Sequence, residues 1–534
     1  WKRRGRIARI FRWARRTGTE RKSREGTSHT GDPIPPQERE RTMANEIELK
    51  LDVTPAAADA IAASGLLDGA PAPMAQHATY FDTADHDLFD AGLSLRIRRT
   101  GETRIQTVKA GGGAAAGLFA RGEWERPVAG DTPVLDDATP VPALLGQAAG
   151  DDAPRLALAP VFAVVVERRI WTVHEGDATI EIALDRGAAI VGDPDNPART
   201  APIVEIELEL KAGSPAALFA FARRLDAVAP VRPGVLAKSE RGYRLLDPAR
   251  TAFKAEPVAL DTAMNAGDAF AHIVHACLRQ FRLNEALLAA GRQADTLHQA
   301  RVALRRLRSA FAIFRPIARG AEADRLRADL RWLAGALGEA RNLDVLLDRA
   351  SPGPVRDRIA TARAAAYDRV IEALAAPRAR ALMLDLLEWT ATGDWRTLAE
   401  TAEDRHRPAR AFATTALGRF RRKVKKDGHD LTHADDETRH EVRKDAKKLR
   451  YAAEFFHALF DGKPERRRYK AFIAALETLQ DQLGTLNDLA TAPAVLTALG
   501  LAADAVPAAA EKKALVAAAD DAVGVLVDAK RFWR

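Results

Sequence analysis

The chain has 534 residues, with 81 Lys/Arg against 73 Asp/Glu, a formal net charge of +8 and one cysteine, Cys277. That length exceeds one ordinary hydrophobic core and implies two or three domains. A lone cysteine excludes an intramolecular disulfide and fits a reducing cytoplasm, and no apolar run approaches the roughly 20 residues that span a bilayer.

The excess charge is local. Residues 1–42 hold 13 Lys/Arg and 5 Asp/Glu, and the rest of the chain balances to zero. This Arg-rich stretch ends in a Pro/polar segment and is expected to be disordered. It contains no apolar segment of the kind a secretory signal needs. The first methionine is Met43, so residues 1–42 are expected to be an extended reading frame rather than native chain. A basic arm for nucleic acid or polyphosphate is the functional alternative, and an organelle transit peptide is a third.

From 43 to 247, strand patterns alternate with Pro- and Gly-rich breaks. Glu46, Glu48 and Lys50 alternate with Ile47, Leu49 and Leu51. A strand puts residues two apart on one face, so the charged set shares a face. Neighbouring carboxylates repel unless a cation neutralises them. The pattern recurs at Arg96 and Arg98, at Arg121, Glu123 and Glu125, at Glu181 and Asp185, and at Glu205, Glu207 and Glu209. One such strand ordinarily belongs to a sheet with one solvated face. Five of them, with acids and bases on different strands, point to a closed, polar-lined barrel. Acids suit hard divalent cations and bases suit phosphate oxygens, so the lining suits a metal–polyphosphate substrate.

Two helices are expected on the outside of these strands, which explains the apolar second face. One spans 54–67 with Thr54 as N-cap and Pro55 in the first turn, and the other spans 214–229 with Ser214 and Pro215 in the same roles. Residues 248–262 read as a linker. From 263 to 534 the period changes to about 3.6, and the expected form is an all-helical antiparallel bundle.

This half repeats itself. His298, Arg301, Arg305 and Arg308 recur 142 residues later as His440, Arg443, Lys447 and Arg450, with Lys444 beside them. Each copy is followed by a Leu-Gly motif, at 337–344 and 483–490, read as the turn that ends a helix. At helical spacing each set forms one basic stripe. Like charges so spaced repel by a few tenths of a kcal/mol per pair, which an anionic ligand relieves. The stripes have few aromatics apart from Tyr451, so base stacking and sequence-specific nucleic-acid binding are not expected.

These residues resemble two known families. Residues 43–247 resemble a CYTH domain, of the triphosphate tunnel metalloenzymes, and 263–534 resemble a CHAD domain. The resemblance rests on Glu46-x-Glu48-x-Lys50, YFDT (80–83), LSLRIRR (93–99), TVKA (107–110), RGEWE (121–125), ERRIW (167–171), ALDRG (183–187), EIELEL (205–210), LAKSERGY (236–243) and the two His-led repeats. It implies an α+β multidomain fold: an eight-stranded antiparallel β-tunnel with outer helices, then an all-α bundle with a pseudo-twofold repeat.

By motif position, the resemblance implies that Lys50, Arg96, Arg98, Lys109, Arg121, Arg168 and Lys238 hold phosphates. Glu46, Glu48, Glu123, Glu125, Asp185, Glu205 and Glu207 would hold Mg²⁺ or Mn²⁺ and orient water. Glu46, Glu48, Lys50, Glu123 and Asp185 carry the catalytic expectation, with the general base open among Glu123, Asp185 and Glu205. Fused bacterial proteins of this kind resemble cytoplasmic inorganic triphosphatases, which cleave triphosphate to pyrophosphate and phosphate. Thiamine triphosphatase, adenylyl cyclase and a non-catalytic polyphosphate-binding protein are the rivals. The helical stripes would bind polyphosphate and place the protein at polyphosphate granules. Asn342 departs from the acid that the resemblance implies there, whereas Asp488 keeps it.

Overall fold

A computed structural model of the chain describes residues 44–534 apart from 111–115, 137–138, 150–156 and 509. The basic extension 1–42 and Met43 lie outside the described residues, as do the side chains of 44–46, 120–121 and 146–149, and so those of Glu46 and Arg121. The chain divides into two compact units, one ending at Ala249 and one beginning at Arg250.

The first unit is a ring of antiparallel strands: β1 (Ala44–Asp52), β2 (Met74–Asp82), β3 (Leu93–Thr100), β4 (Thr103–Ala110), β5 (Leu118–Pro127), β6 (Ala159–Glu175), β7 (Ala178–Asp193) and β8 (Asn196–Ala212). They run in the order β5-β4-β3-β2-β6-β7-β8-β1, and pairing of β1 with β5 closes the ring. Eight main strands agree with the expected tunnel. A two-residue strand, β9 (Arg232–Pro233), adds to the end of β1 and had no pattern by which to be expected.

Register decides which charges meet. Glu48 stands opposite Glu209, Lys50 opposite Glu207 and Asp52 opposite Glu205 across β1 and β8. Asp185 of β7 stands between Glu205 of β8 and Arg168 of β6. Alternation then sends all of these inward.

The other face is apolar and covered. Leu93, Leu95, Ile97 and Val108 are buried with Leu88, Val141 and Leu144, which come from the short helices Asp87–Asp90 and Val141–Ala149. The helix Pro55–Ala62 begins at Thr54, whose hydroxyl accepts from the Ala57 amide. The later helix runs Ala216–Val228 with Pro215, not Ser214, at the cap. Ser214 Oγ accepts from the Ala216 amide at 3.3 Å instead.

One helix is not outside. Lys238–Leu246 packs on β6, β7 and β8, and its Tyr243 joins the inward-facing Ala78, Tyr80, Phe162, Val164, Ala189 and Ile203 in one buried cluster. The ring is therefore apolar inside at the end this helix fills and charged beyond its first residue, Lys238.

The second unit is helical. Two helical hairpins, Ala266–Ala290 with Ala294–Ile313 and Ala409–Asp427 with Asp436–Phe456, carry the repeated stripes. They start side by side: the Ala266 amide donates to Arg407 O at 2.8 Å and the Ala409 amide to Met264 O at 2.9 Å. The helices Ala294–Ile313 and Asp436–Phe456 pack together. Of the segment 248–262 read as a linker, residues from Arg250 on belong to this unit, and Asn284 both accepts from Phe253 N and donates to Phe253 O at 2.9 Å.

The two Leu-Gly motifs differ. In the first copy the chain breaks at Leu337 between the helices Ala321–Ala336 and Gly338–Arg349, and Arg301 donates to the Leu337 carbonyl at 2.5 Å. The second copy lies within one continuous helix, Lys463–Ala498, so the expected turn there is absent. A Leu-Gly pair permits a break but does not force one, because glycine costs a helix only about 1 kcal/mol.

Candidate functional site

The charged stretch of the ring encloses a cavity of about 340 Å³, lined among others by Glu48, Lys50, Arg96, Lys109, Arg168 and Glu207. On the β7–β8–β1 side, carboxylate oxygens of Asp185, Glu205 and Glu207 lie within 4.8 Å of one another. Three cations hold them. Lys238 Nζ is 2.6 Å from each of the three. Lys50 Nζ is 2.8 Å from Glu205 and also bonds Glu207. Arg168 grips Asp185 through two nitrogens, at 2.7 and 2.5 Å, and reaches Glu207 at 2.5 Å.

Burial alone would strip Lys50 of its proton, yet Glu205, Glu207 and Glu48 outweigh it and hold its pKa well above the ordinary value. Burial would likewise protonate Glu207, but Lys238, Lys50 and Arg168 keep its pKa well below the usual range. The cluster is therefore fully ionised at neutral pH and close to electrically balanced.

Glu48 stands apart. It is only 4% exposed, its Oε1 has no hydrogen-bond partner, and its nearest cation is Lys50 at 3.4 Å. A buried carboxylate oxygen without a partner is costly. It is the atom that a further cation in the cavity would satisfy. The triad of Asp185, Glu205 and Glu207 is an all-oxygen donor set that fits a hard divalent ion, and Glu48 lines the same cavity.

The facing wall, β3–β4–β5, is basic with its own acids. Arg96 donates to the Tyr80 hydroxyl at 3.5 Å, and its Nε has no partner. Burial and the adjacent Arg96 lower the pKa of Arg98. Lys109 is 3.1 Å from Glu123, Arg98 is 3.5 Å from Glu125, and Thr107 donates to Glu125 at 2.8 Å. Of the expected metal ligands, Asp185, Glu205 and Glu207 form the triad, whereas Glu48 stands on β1 and Glu123 and Glu125 on this wall, each beside a base.

Sequence reasoning also missed residues. Arg241 bridges Asp52 at 2.7 Å and Glu205 at 3.5 Å. Its spacing of three from Lys238 in LAKSERGY puts both on one helix face, which was a usable signal. Lys211, between Glu209 at 2.7 Å and Glu181 at 3.4 Å, lines the same cavity.

Gly242 lets the inner helix approach β6. A Cβ there would lie 2.1 Å from the Phe162 ring, and that ring is held against Tyr80 at 4.7 Å. Gly242→Ala is expected to cost about 1–3 kcal/mol, measured by denaturant unfolding. Unchanged stability would show that the helix is not held where it is placed.

In the helical unit the two stripes converge. His298 Nδ1 and the Nε atoms of Arg301, Arg305 and Arg443 are buried without hydrogen-bond partners. Burial, with Arg443 and Arg305 beside it, lowers the Lys447 pKa to about 7. Burial, Arg341 and Arg305 lower that of His298 to about 4. Arg301 falls to about 10 for the same kinds of reason, burial and then Arg305 and Arg341. Asp488 is a countercharge for Arg443 and Lys447, while the matching Asn342 supplies none.

Not every expected residue joins. Arg308 is exposed and faces Arg331. Lys444 pairs with Glu441, and Arg450 with Glu454 and Glu477 at 2.8 and 3.1 Å. His440 sits half-buried near the start of its helix. Arg341, which the stripe pattern could not include, enters the cluster from a different helix.

Comparison with known proteins gives two family matches, the CYTH domain over residues 44–243 and the CHAD domain over residues 272–497. An inorganic triphosphatase of Haemophilus influenzae is 31% identical over 211 residues, 39% of this chain and 56% of that protein. This chain thus spans a little over half the length of that relative. The CHAD domain from the plant Ricinus communis aligns at a TM-score of 0.41 and 31% identity, over 51% of this chain and 90% of that one. A putative adenylyl cyclase from Hippeastrum, described as having a dominant triphosphatase activity, aligns at a TM-score of 0.26 and 20% identity, over 37% and 95%.

Proposed function

The chain joins a CYTH domain, residues 44–243, to a CHAD domain, residues 272–497, and on that premise we propose that it hydrolyses inorganic triphosphate to pyrophosphate and phosphate in the tunnel. The observation that carries this reading is one cavity with a carboxylate cluster on one wall and an Arg/Lys wall opposite.

Triphosphate repels an attacking oxygen by its charge, and the side chains answer that first. Arg96, Arg98 and Lys109 take phosphate oxygens from one wall, and Lys50, Arg168 and Lys238 from the other. Arginine forks fix the chain of phosphates in place. Arg121 extends this set by motif position. Glu48, Asp185, Glu205 and Glu207 would hold Mg²⁺ or Mn²⁺, with Glu46 assigned by motif. The ion, when bound, neutralises phosphate charge and acidifies water. Glu123 and Glu125 orient Lys109, Arg98 and Thr107 toward the phosphates.

Base strength separates the proton acceptors. Asp185, Glu205 and Glu207 have depressed pKa values, held down against burial chiefly by Lys238, and a depressed carboxylate is a poor base. Glu48, whose buried Oε1 makes no hydrogen bond and lies 3.4 Å from Lys50, would orient water there. Release of phosphate from triphosphate, with metal and with chelator, tests the reading; metal-independent or absent release contradicts it.

A second reading has one observation in its favour. Ala78, Val164, Val166 and Ile170 line the same cavity without charge, which would accept the organic end of a nucleotide or thiamine triphosphate.

The helical unit holds polyphosphate in this account, through His298, Arg301, Arg305, Arg443 and Lys447, and would gather the protein at polyphosphate granules. None of the described helices is long and apolar enough to cross a membrane, and no membrane partner enters the account. The pH dependence follows from Lys447. Its ammonium loses its proton near pH 7 in the free protein, and a bound anion raises that pKa. Affinity is therefore full below pH 7 and falls as pH rises through it. Between pH 6.5 and 8.5 the full chain should lose about tenfold or more in affinity for long-chain polyphosphate. Lys447→Gln should bind more weakly and flatten the profile. A profile unchanged in the variant contradicts the assignment, and equal retention of DNA would reduce it to general electrostatics.

A further inference from the structure

The three clustered carboxylates already surround a cation. Lys238 Nζ lies 2.6 Å from Asp185, Glu205 and Glu207 alike, while Lys50 and Arg168 touch two of the three each. Carboxylate oxygens that close together make the one such triad among the described residues. A divalent ion placed among them would meet an ammonium at contact distance, and two cations cannot share that space.

The three cations differ in freedom. Arg168 faces Asp185 directly across the β6–β7 pairing and grips it with two nitrogens. The stem of Lys50 is packed under the backbone, since a Cβ on Gly234 would come within 2.8 Å of its Cγ. Lys238 is the first residue of the helix Lys238–Leu246 and, like Lys50 and Arg168, lines the cavity, but it is held by no strand pairing. Its side chain can swing into that space while Gly242, packed on Phe162, keeps the helix fixed.

We propose that the Lys238 ammonium occupies the metal position in the substrate-free tunnel, and that metal and ammonium exchange there when triphosphate binds. This rests on the reading that the triad holds the metal. The exchange is a charge-matching device. The three acids and three bases of the cluster balance one another, so a divalent ion entering alone leaves excess positive charge. Triphosphate absorbs both that charge and the displaced ammonium. Metal therefore loads together with substrate, and the substrate-free protein binds it weakly.

Binding of Mn²⁺ to the full-length protein without phosphate, followed by the electron paramagnetic resonance signal of the free ion, tests this. Lys238→Gln should bind Mn²⁺ at least about tenfold more tightly than wild type, because a unit charge at contact distance is removed. Lys211→Gln removes the same charge elsewhere in the cavity and should change affinity much less. Unchanged or weaker binding by Lys238→Gln overturns the exchange, as does an equal gain in Lys211→Gln. If wild type and variant both fail to bind Mn²⁺, the metal assignment to the triad falls with it. A variant-free measurement covers a Lys238→Gln protein that does not fold. Acetylation of Lys238 in wild type, quantified by mass spectrometry, should rise severalfold on adding saturating Mg²⁺. No change in Lys238 reactivity, with Mg²⁺ bound, also overturns the exchange.

Discussion

Glu48→Gln is expected to lower triphosphate hydrolysis at least about a hundredfold, the loss typical when one preorganised charge at the reacting centre is removed, while leaving the fold nearly as stable as wild type. The two halves of that outcome have one cause. Glu48 Oε1 is buried with no hydrogen-bond partner and meets Lys50 only at 3.4 Å. Oε1 thus contributes one long ion pair and no hydrogen bond, and glutamine keeps its shape. Steady-state phosphate release and thermal melting on the same preparation check both halves. An active variant would remove Glu48 from the mechanism, and a strongly destabilised one would make it a structural residue.

Glu207→Gln should behave in the opposite way. Glu207 accepts from Lys50, Lys238 and Arg168 at once, and its side chain is 15% exposed. Breaking a buried ion network by removing one partner leaves the others uncompensated, at a cost of about 3–5 kcal/mol. For a domain of this size that is a fall in melting temperature of roughly 6–20 °C. The pH dependence has a definite sign. Glu207 has a pKa depressed well below 4.5, so its contribution is complete above the unfolded value and is lost as pH falls toward the folded one. Wild type and variant should converge in stability on acidification. A gap that widens at low pH would contradict the network.

The contrast between two glutamates that share Lys50 as a partner, one two residues from it and one on a distant strand, shows where sequence reading stops. Alternation made Glu46, Glu48 and Lys50 one face and Glu205, Glu207 and Glu209 another, and Glu48, Lys50, Glu207 and Glu209 line the cavity as expected. Which acids meet which bases depends on the β1–β8 register, a pairing of residues some 155 positions apart that no local pattern encodes. Glu123 and Glu125 looked equivalent to Glu205 and Glu207 because period two says nothing about which strand lies alongside. The ring order puts them beside Lys109 and Arg98 instead.

The helix Lys238–Leu246 illustrates the same limit. No helix is expected there from the sequence, and the fit of Gly242 to Phe162 and of Tyr243 to Asp82 places it inside the ring. In the helical half the repeat was legible because both copies keep the stripe. The convergence of Arg301 and Arg305 on Arg443 and Lys447 needed the packing of two helices that are far apart in sequence. The Leu-Gly motifs were alike as letters and differ as structure, since a helix break at glycine depends on what its freed carbonyl can reach. At Leu337 that is Arg301.

The most direct test of the central claim compares triphosphate, ATP and thiamine triphosphate side by side as sources of released phosphate, with Mg²⁺ or Mn²⁺ and with chelator, and with Glu48→Gln as control. The account predicts fastest release from inorganic triphosphate, dependent on metal and lost in the variant. Faster turnover of ATP or thiamine triphosphate, cyclic AMP formed in the ATP sample, or no release from any of the three would contradict it.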